Sequence, residues 1–419
     1  MSDLVIRGGR RLSGRIAVEG NKNAALPLLA ACLLTSETCE LRNVPRIRDV
    51  AVMIQLLRSL GAEVEGEGTP TLRITARQVS SSEPDPKLVG RLRGSVLLLG
   101  SLVGRMGSAT LVSPGGDFPA RRTITTHLRA LGEMGAKVTH NGAAHHVDAP
   151  NGLKAASMYL LEASVTGTET ALLAASLANG VTEIRNAACE PHVAELATFL
   201  QAMGAGVDGI GSSTIRIEGR ASLKGAVHTL GGDYIEAASW AVVGAITHGN
   251  IEVTGVRAVD LEPITSVLAE MDLDFDLEEN RLVVRPSRLK GAKRITTGLW
   301  PGFPSDIVSL VTVLATQAHG PTLVHDWLYE LRLFALEQLS AMHADLFLCD
   351  PHRIIVTGPR KLRGRTLDSR DIRSGMALVA AALAADGVSR VLEIETVERG
   401  YEDLVARLKS LGADVERTE

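Results

Sequence analysis

The sequence predicts an α/β protein of two inside-out, barrel-like domains, built from six repeated αβ units, with a ligand cleft between the domains. Three observations carry that expectation. First, a short signature recurs at Leu60-Gly61-Ala62, Met134-Gly135-Ala136, Met203-Gly204-Ala205 and Leu411-Gly412-Ala413, with degenerate copies at Met271-Asp272-Leu273 and Met342-His343-Ala344. Its spacing of about 70 residues exceeds that of ordinary solenoid repeats, so each repeat is a small subdomain. Second, each repeat opens on a segment that is apolar nearly all round, the mark of a helix buried on every side. Third, the order of signals within a repeat is constant. Helices without a polar face are buried only if sheets wrap around them, whereas an open layered α/β fold leaves its helices one polar face.

Taken in order, the apolar helices are expected over residues 26–34, 95–103, 170–178, 237–246, 307–315 and 376–385. β-rich stretches follow, as at 39–44, 109–112, 181–184, 251–253 and 390–394. A second, amphipathic helix comes next, as at 50–59, 127–134 and 193–203, and it ends at the repeated glycine, which tolerates left-handed backbone just past a helix. One or two strands, such as Glu63-Val64 and residues 71–75, close the unit. Gly20 and the pair Gly231-Gly232 are the expected crossing points. They give a first domain over residues 21–231 and a second assembled from 1–20 and 232–419.

Composition narrows the class. The chain has 419 residues, a net charge of −4, 45% hydrophobic residues and only 3% aromatic ones, so its cores are built from Ala, Leu, Val and Ile. Near-neutral charge argues against a general nucleic-acid binder. Cys32, Cys39, Cys189 and Cys349 lack the paired spacing of zinc or disulfide motifs, which points to reduced thiols in a cytoplasmic protein. No basic segment followed by an apolar run opens the chain, and no stretch approaches the roughly 18 apolar residues of a membrane span. Neither secretion nor a membrane partner is expected.

Four segments carry candidate chemistry. Asn21-Lys22-Asn23 precedes the first apolar helix, where a cation and free amides suit an anion and where Asn also serves as an ordinary cap. The Gly/Pro segment 114–122 carries Asp117, Arg121 and Arg122 and reads either as a catalytic loop or as a solvated turn. Arg93, Arg332, Arg373 and Arg399 fall at comparable places in different repeats and are suited, if they converge, to a phosphate or carboxylate. In Phe303-Pro304-Ser305-Asp306 a carboxylate stands directly before an apolar helix, as a general base or as a cap.

Together with Glu190-Pro191, Asp233 with Glu236, Asp371 with Arg373, and Arg399-Gly400-Tyr401-Glu402, these segments resemble the enolpyruvyl transferases along essentially the whole chain. The resemblance implies two inside-out domains closing over substrates. It also implies transfer of the enolpyruvyl group of phosphoenolpyruvate to a hydroxyl of UDP-N-acetylglucosamine, with release of phosphate, as the first committed step of peptidoglycan synthesis. No metal or organic cofactor is implied, and a monomer is expected. Carried over by matching position, Lys22, Arg93, Arg122 and Arg399 bind phosphoenolpyruvate, supported by Arg332 and Arg373. Asp306 accepts the proton of the acceptor hydroxyl, and Asp117 supplies or relays one. Asn23, Ser164, Val165 and Asp233 belong to the substrate site, and Asp371 and Glu190 help order it.

Departures from the family pattern fall mainly on the acceptor side. Asp117 stands where Cys is usual, Glu162 where Lys is, Thr125 where Asp is, and Tyr234 where Arg is. Exchanging Lys for Glu beside a diphosphate reverses the local charge. Two further readings therefore stand beside the first: an enolpyruvyl transferase with another nucleotide or nucleotide-sugar acceptor, and a catalytically silent nucleotide-sugar binder.

Overall fold

The apolar helices of the repeats fold as helices hidden on all sides. A computed structural model describes residues 2–115 and 123–418. The chain forms two compact units: Gly20–Gly231, and Met1–Glu19 together with Gly232–Glu419. Each holds its own apolar core. In the first unit the helices Lys22–Ala31, Leu98–Met106 and Val165–Ala175 pack together, and in the second Tyr234–Ile246, Val308–Ala315 and Ile372–Ala384 do so. Every residue of Tyr234–Ile246 and of Val308–Ala315 is buried. Small side chains permit such close approach between helices: Gly100 faces the carbonyl of Thr170, and a Cβ added there would lie 2.5 Å from that oxygen.

Among the described residues the strands form six sheets, three in each unit. Five are four-stranded, and the Ser108–Val112, Lys137–Asn141 and Ala144–Asp148 sheet has three strands. Neighbouring repeats are stitched by parallel pairs. Val227–Thr229 from the end of the first unit pairs with Thr38–Arg42 near its start, register Val227 to Glu40, so the three repeats close on themselves. In the second unit Asp3–Arg7 lies between Val388–Leu392 and Asp414–Thr418, which ties the N-terminal segment to the last repeat. Both units are thus inside-out α/β domains with helices central and sheets outside.

The repeated glycine performs the role its position suggests. Gly61, Gly135, Gly204 and Gly412 have φ of 97°, 91°, 107° and 93°. The degenerate copies keep the same backbone hand without glycine: Asp272 at 56° and His343 at 71°. Asp is among the residues that enter this region most readily, so the turn survives the substitution.

Several boundaries differ from expectation: the first, fourth and sixth apolar helices start early, at Lys22, Tyr234 and Ile372, and the second is a 3₁₀ segment, Arg93–Leu97, followed by the helix Leu98–Met106. The third apolar helix begins at Val165 rather than 170, because Ser164 caps it by accepting from the Gly167 amide at 3.2 Å, and its polar first turn hid the start. The last β-stretch is Val388–Leu392, ended by Glu393 at φ 52°, so Ile394 opens a 3₁₀ turn instead of extending the strand.

Where the chain crosses between units, glycine is demanded by close approach. A Cβ on Gly20 would sit 1.7 Å from the Asn43 carbonyl, and one on Gly232 would sit 1.9 Å from that of Gly255. The flanking segments are held by backbone bonds, Asn21 N to Gly231 O at 2.8 Å in the first unit and Asp233 N to Glu19 O at 2.9 Å in the second.

Candidate active site

In the Gly20–Gly231 unit, the cation of the Asn21-Lys22-Asn23 segment is set by two devices. Asn21 caps the first helix, accepting from the Asn23 and Ala24 amides at 2.8 and 3.1 Å, so the capping and cation roles coexist on adjacent residues. Lys22 is nearly buried, and its Nζ lies 2.8 Å from Asp49 Oδ2. Asn23, next along the first turn, is half-buried. Arg93 donates from Nη2 to the Thr123 carbonyl at 2.8 Å and lines a pocket of about 880 Å³ with Thr125, Leu128, Arg129 and His145 among its other walls. Ser164 and Val165 form the N-terminus of the third buried helix, and Glu162 is exposed just before them. Buried His127 pairs through Nε2 with Thr166 Oγ1 at 2.8 Å on that same first turn. Glu190 stands at the N-cap position of the Pro191–Ala202 helix, and its charge reaches Glu169. Asp117 and Arg122, with Arg121, lie outside the described residues.

The second unit gathers an acid and two guanidiniums. Asp306 sits in the 3₁₀ turn Ser305–Ile307. Its Oδ1 lies 3.1 Å from Arg332 Nη1 and its Oδ2 lies 3.3 Å from Arg373 Nη2. Burial is the largest influence on both guanidiniums and opposes their charge, but Asp306 together with Asp326, Asp371 and Tyr329 at Arg332, and with Tyr401 and Asp233 at Arg373, more than offsets it, so both pKa values are raised. Asp371 caps the Ile372–Ala384 helix, accepting from the Arg373 amide at 2.8 Å and the Ser374 amide at 3.0 Å, and it adds negative potential at Arg332. Asp233 caps Tyr234–Ile246 in the same way. Tyr401 bonds Ser239 Oγ at 2.7 Å, and burial raises its phenol pKa against the pull of Arg373. Arg399 ends the 3₁₀ segment Ile394–Arg399 and is half-buried. The unit thus unites Asp306, Arg332 and Arg373 directly, with Asp371 and Asp233 in electrostatic range of the two guanidiniums.

Three contributors lie outside the segments that carried candidate chemistry. Asp326 is fully buried and accepts from Thr297 Oγ1 at 2.9 Å and Ser305 Oγ at 2.7 Å, while Arg332 Nη1 donates to that same Ser305 hydroxyl at 2.7 Å. Asp49 had a signal: it shares a helix face with Met53 and Leu56, so a charge stands on an apolar stripe and needs a partner. Glu169 is the third. It occupies a core helix, and burial first, then Glu190, pushes its carboxyl well above the ordinary range. Tyr234, where the family usually has Arg, is buried with its ring centroid 5.5 Å from that of Trp300, so it packs instead of supplying a cation.

Glu236 anchors the chain crossing. Its Oε2 accepts from the Glu19 amide at 3.1 Å, its Oε1 accepts from Trp240 Nε1 at 3.0 Å, and Arg407 pairs with it. Burial pushes its carboxyl up to about 7, with Arg407 and Trp240 pulling down and Asp233 pushing up. A carboxyl raised from 4.5 to about 7 binds a proton more tightly folded than unfolded. Its contribution is therefore full below pH 4.5 and is lost as pH rises through about 7, roughly 3 kcal/mol in all. Glu236→Gln is expected to lack this dependence, so the stability of the native chain relative to the variant falls between pH 4.5 and 7.5 in denaturant titrations; a constant difference contradicts the assignment.

An inside-out pair of three-repeat domains carrying a Lys and Arg in one and an Asp between two Arg in the other defines a class of group-transfer enzyme acting on anions. The chain belongs to the enolpyruvyl transferase family: its residues 6–408 match the family described as EPSP synthase (3-phosphoshikimate 1-carboxyvinyltransferase). Among its relatives, the UDP-N-acetylglucosamine 1-carboxyvinyltransferase of Treponema denticola is 40% identical over 428 residues, covering 100% of both chains. The protein of the same name from Bradyrhizobium diazoefficiens is 41% identical over 421 residues, covering 99% of this chain and 97% of its own. Among solved structures, the enolpyruvyl transferase NikO from Streptomyces tendae aligns with a TM-score of 0.91 at 27% identity, covering 100% of this chain and 99% of its own.

Proposed function

We propose that this enzyme transfers the enolpyruvyl group of phosphoenolpyruvate to a sugar hydroxyl of UDP-N-acetylglucosamine, releasing phosphate, as a cytoplasmic monomer in peptidoglycan synthesis. The supporting observation is Asp306, a carboxylate whose two oxygens face two guanidiniums that keep their charge at any physiological pH. Relatives at about 40% identity over their full length carry that activity in their names.

The reaction needs a proton delivered to the methylene carbon, a hydroxyl attacking the resulting cationic carbon, and a methyl proton removed as phosphate departs. In this reading Lys22, Arg93, Arg122 and Arg399 hold the phosphate and carboxylate of phosphoenolpyruvate, where fixed cations offset the charge that develops on the leaving group. Arg332 and Arg373 orient Asp306, which takes the acceptor hydroxyl proton. Asp117 donates or relays the proton to carbon. Asn23, Ser164, Val165, Glu190, Asp233 and Asp371 shape the acceptor site. Incubation with both substrates, followed by mass spectrometry, tests the reading: a UDP-N-acetylglucosamine carrying an enolpyruvyl ether supports it, and unchanged acceptor refutes it.

Asp117 makes a further outcome specific. A carboxylate is a far weaker nucleophile toward an epoxide than a thiolate is. Fosfomycin, which alkylates the usual Cys, is expected to cause no time-dependent loss of activity, and intact-mass analysis should find no adduct; covalent labelling at Asp117 contradicts this.

A further inference from the structure

We propose that Trp327 is the platform on which the hexose ring of the acceptor stacks, which makes it a specificity-determining residue of the acceptor site. The proposal rests on the reading of Asp306 as the group that takes the acceptor proton. In a chain with three tryptophans, Trp240 is fully buried, Trp300 packs against the core, and Trp327 is 49% exposed. A half-exposed indole alone is unremarkable, since apolar atoms cover much of any protein surface. This one is fixed. Its Nε1 donates to the Thr297 carbonyl at 2.7 Å, which pins the ring in one orientation.

The tether joins it to the segment that bears the proposed base, Asp306. Thr297 Oγ1 and Ser305 Oγ both donate to buried Asp326, the residue directly before Trp327, and Ser305 is the residue directly before Asp306. The Leu328 amide also donates to Asp326 at 3.3 Å, holding the chain on the other side of the indole. One buried carboxylate therefore sets the position of both the platform and the segment bearing the base. Leu299, two residues beyond Thr297, is 45% exposed and adds a second apolar surface on that loop.

A rigid, apolar, uncharged face suits the C–H face of a sugar ring, because little side-chain entropy is lost on contact and the indole adds no charge to the Asp306, Arg332 and Arg373 group. A pyrimidine base also offers a flat face, so the experiment separates the two. Trp327→Ala and Trp327→Phe are assayed for phosphate release, and tryptophan fluorescence of each protein is titrated with UDP-N-acetylglucosamine and with UDP.

The expected result is a rise of about tenfold in the acceptor KM for the Ala variant, with kcat within about threefold, phosphoenolpyruvate KM unchanged and partial rescue by Phe. Fluorescence of the native protein should respond to the nucleotide sugar and not to UDP, and Trp327→Phe should abolish the response. An unchanged acceptor KM, equal rises in both KM values, or a response to UDP as large as to the sugar nucleotide overturns the proposal. Absence of turnover in the native protein would count against the proposed acceptor alone. Titration with a panel of other UDP-hexoses then decides: a response that Trp327→Phe removes supports the platform, and silence with every one overturns it.

Discussion

Asp306→Asn is expected to lower kcat by about 10³-fold, the usual scale for removing a positioned acid or base, with little change in phosphoenolpyruvate affinity. The substitution keeps the size and one acceptor oxygen of the side chain. It removes the charge that Arg332 and Arg373 face at 3.1 and 3.3 Å and the oxygen that takes up the proton. Because both guanidiniums are buried among further acids, Asp326 and Asp371 near Arg332 and Asp233 near Arg373, their positions should survive the exchange. Phosphate-release kinetics and calorimetric titration of phosphoenolpyruvate check the two halves of the statement. A kcat within threefold of the native value would assign the proton to another group and leave Asp306 a merely structural member of the cluster.

Lys22→Met is expected to cost both activity and stability, for separable reasons. Activity should fall by about 10²-fold or more in kcat/KM for phosphoenolpyruvate, since a cation placed on an anion's charge is worth several kcal/mol in a partly desolvated site. Stability should fall by about 3 kcal/mol, because the nearly buried Asp49 loses the ammonium that stood 2.8 Å away. Adding Asp49→Leu to Lys22→Met removes the acid as well and should recover most of the stability while activity stays low. Chemical denaturation and steady-state assays of the single and double variants separate these effects. Recovery of activity in the double variant would mean that Lys22 acts only as a partner for Asp49.

Much of the fold could be read from periodicity. Signature spacing and helices with no polar face led to wrapped, inside-out domains because no layered arrangement hides such helices, and all six signature positions turn at positive φ even where Asp272 and His343 replace glycine. Boundaries failed where polar groups do local work, as at Ser164, whose capped first turn carries no apolar pattern. The site was legible in its chemistry and less so in its support. Asp306, Arg332 and Arg373 could be named from their segments, and the structure brings them together. Asp326 could not, since a buried acid that organises Thr297, Ser305 and the Trp327 loop looks in sequence like any loop aspartate. The clamp of Glu236 on the Glu19 amide was equally hidden, because its partners Trp240 and Arg407 lie 4 and 171 positions away along the chain.

In the proposed reaction a carboxylate flanked by two guanidiniums serves to couple phosphoenolpyruvate to a UDP-sugar hydroxyl. Phosphate release by the native protein, measured with phosphoenolpyruvate alone, with UDP-N-acetylglucosamine alone and with both, tests that most directly when repeated with Asp306→Asn. The predicted result is release only when both substrates are present, lost by about 10³-fold in the variant. Release from phosphoenolpyruvate without acceptor, or equal release by the variant, would contradict it.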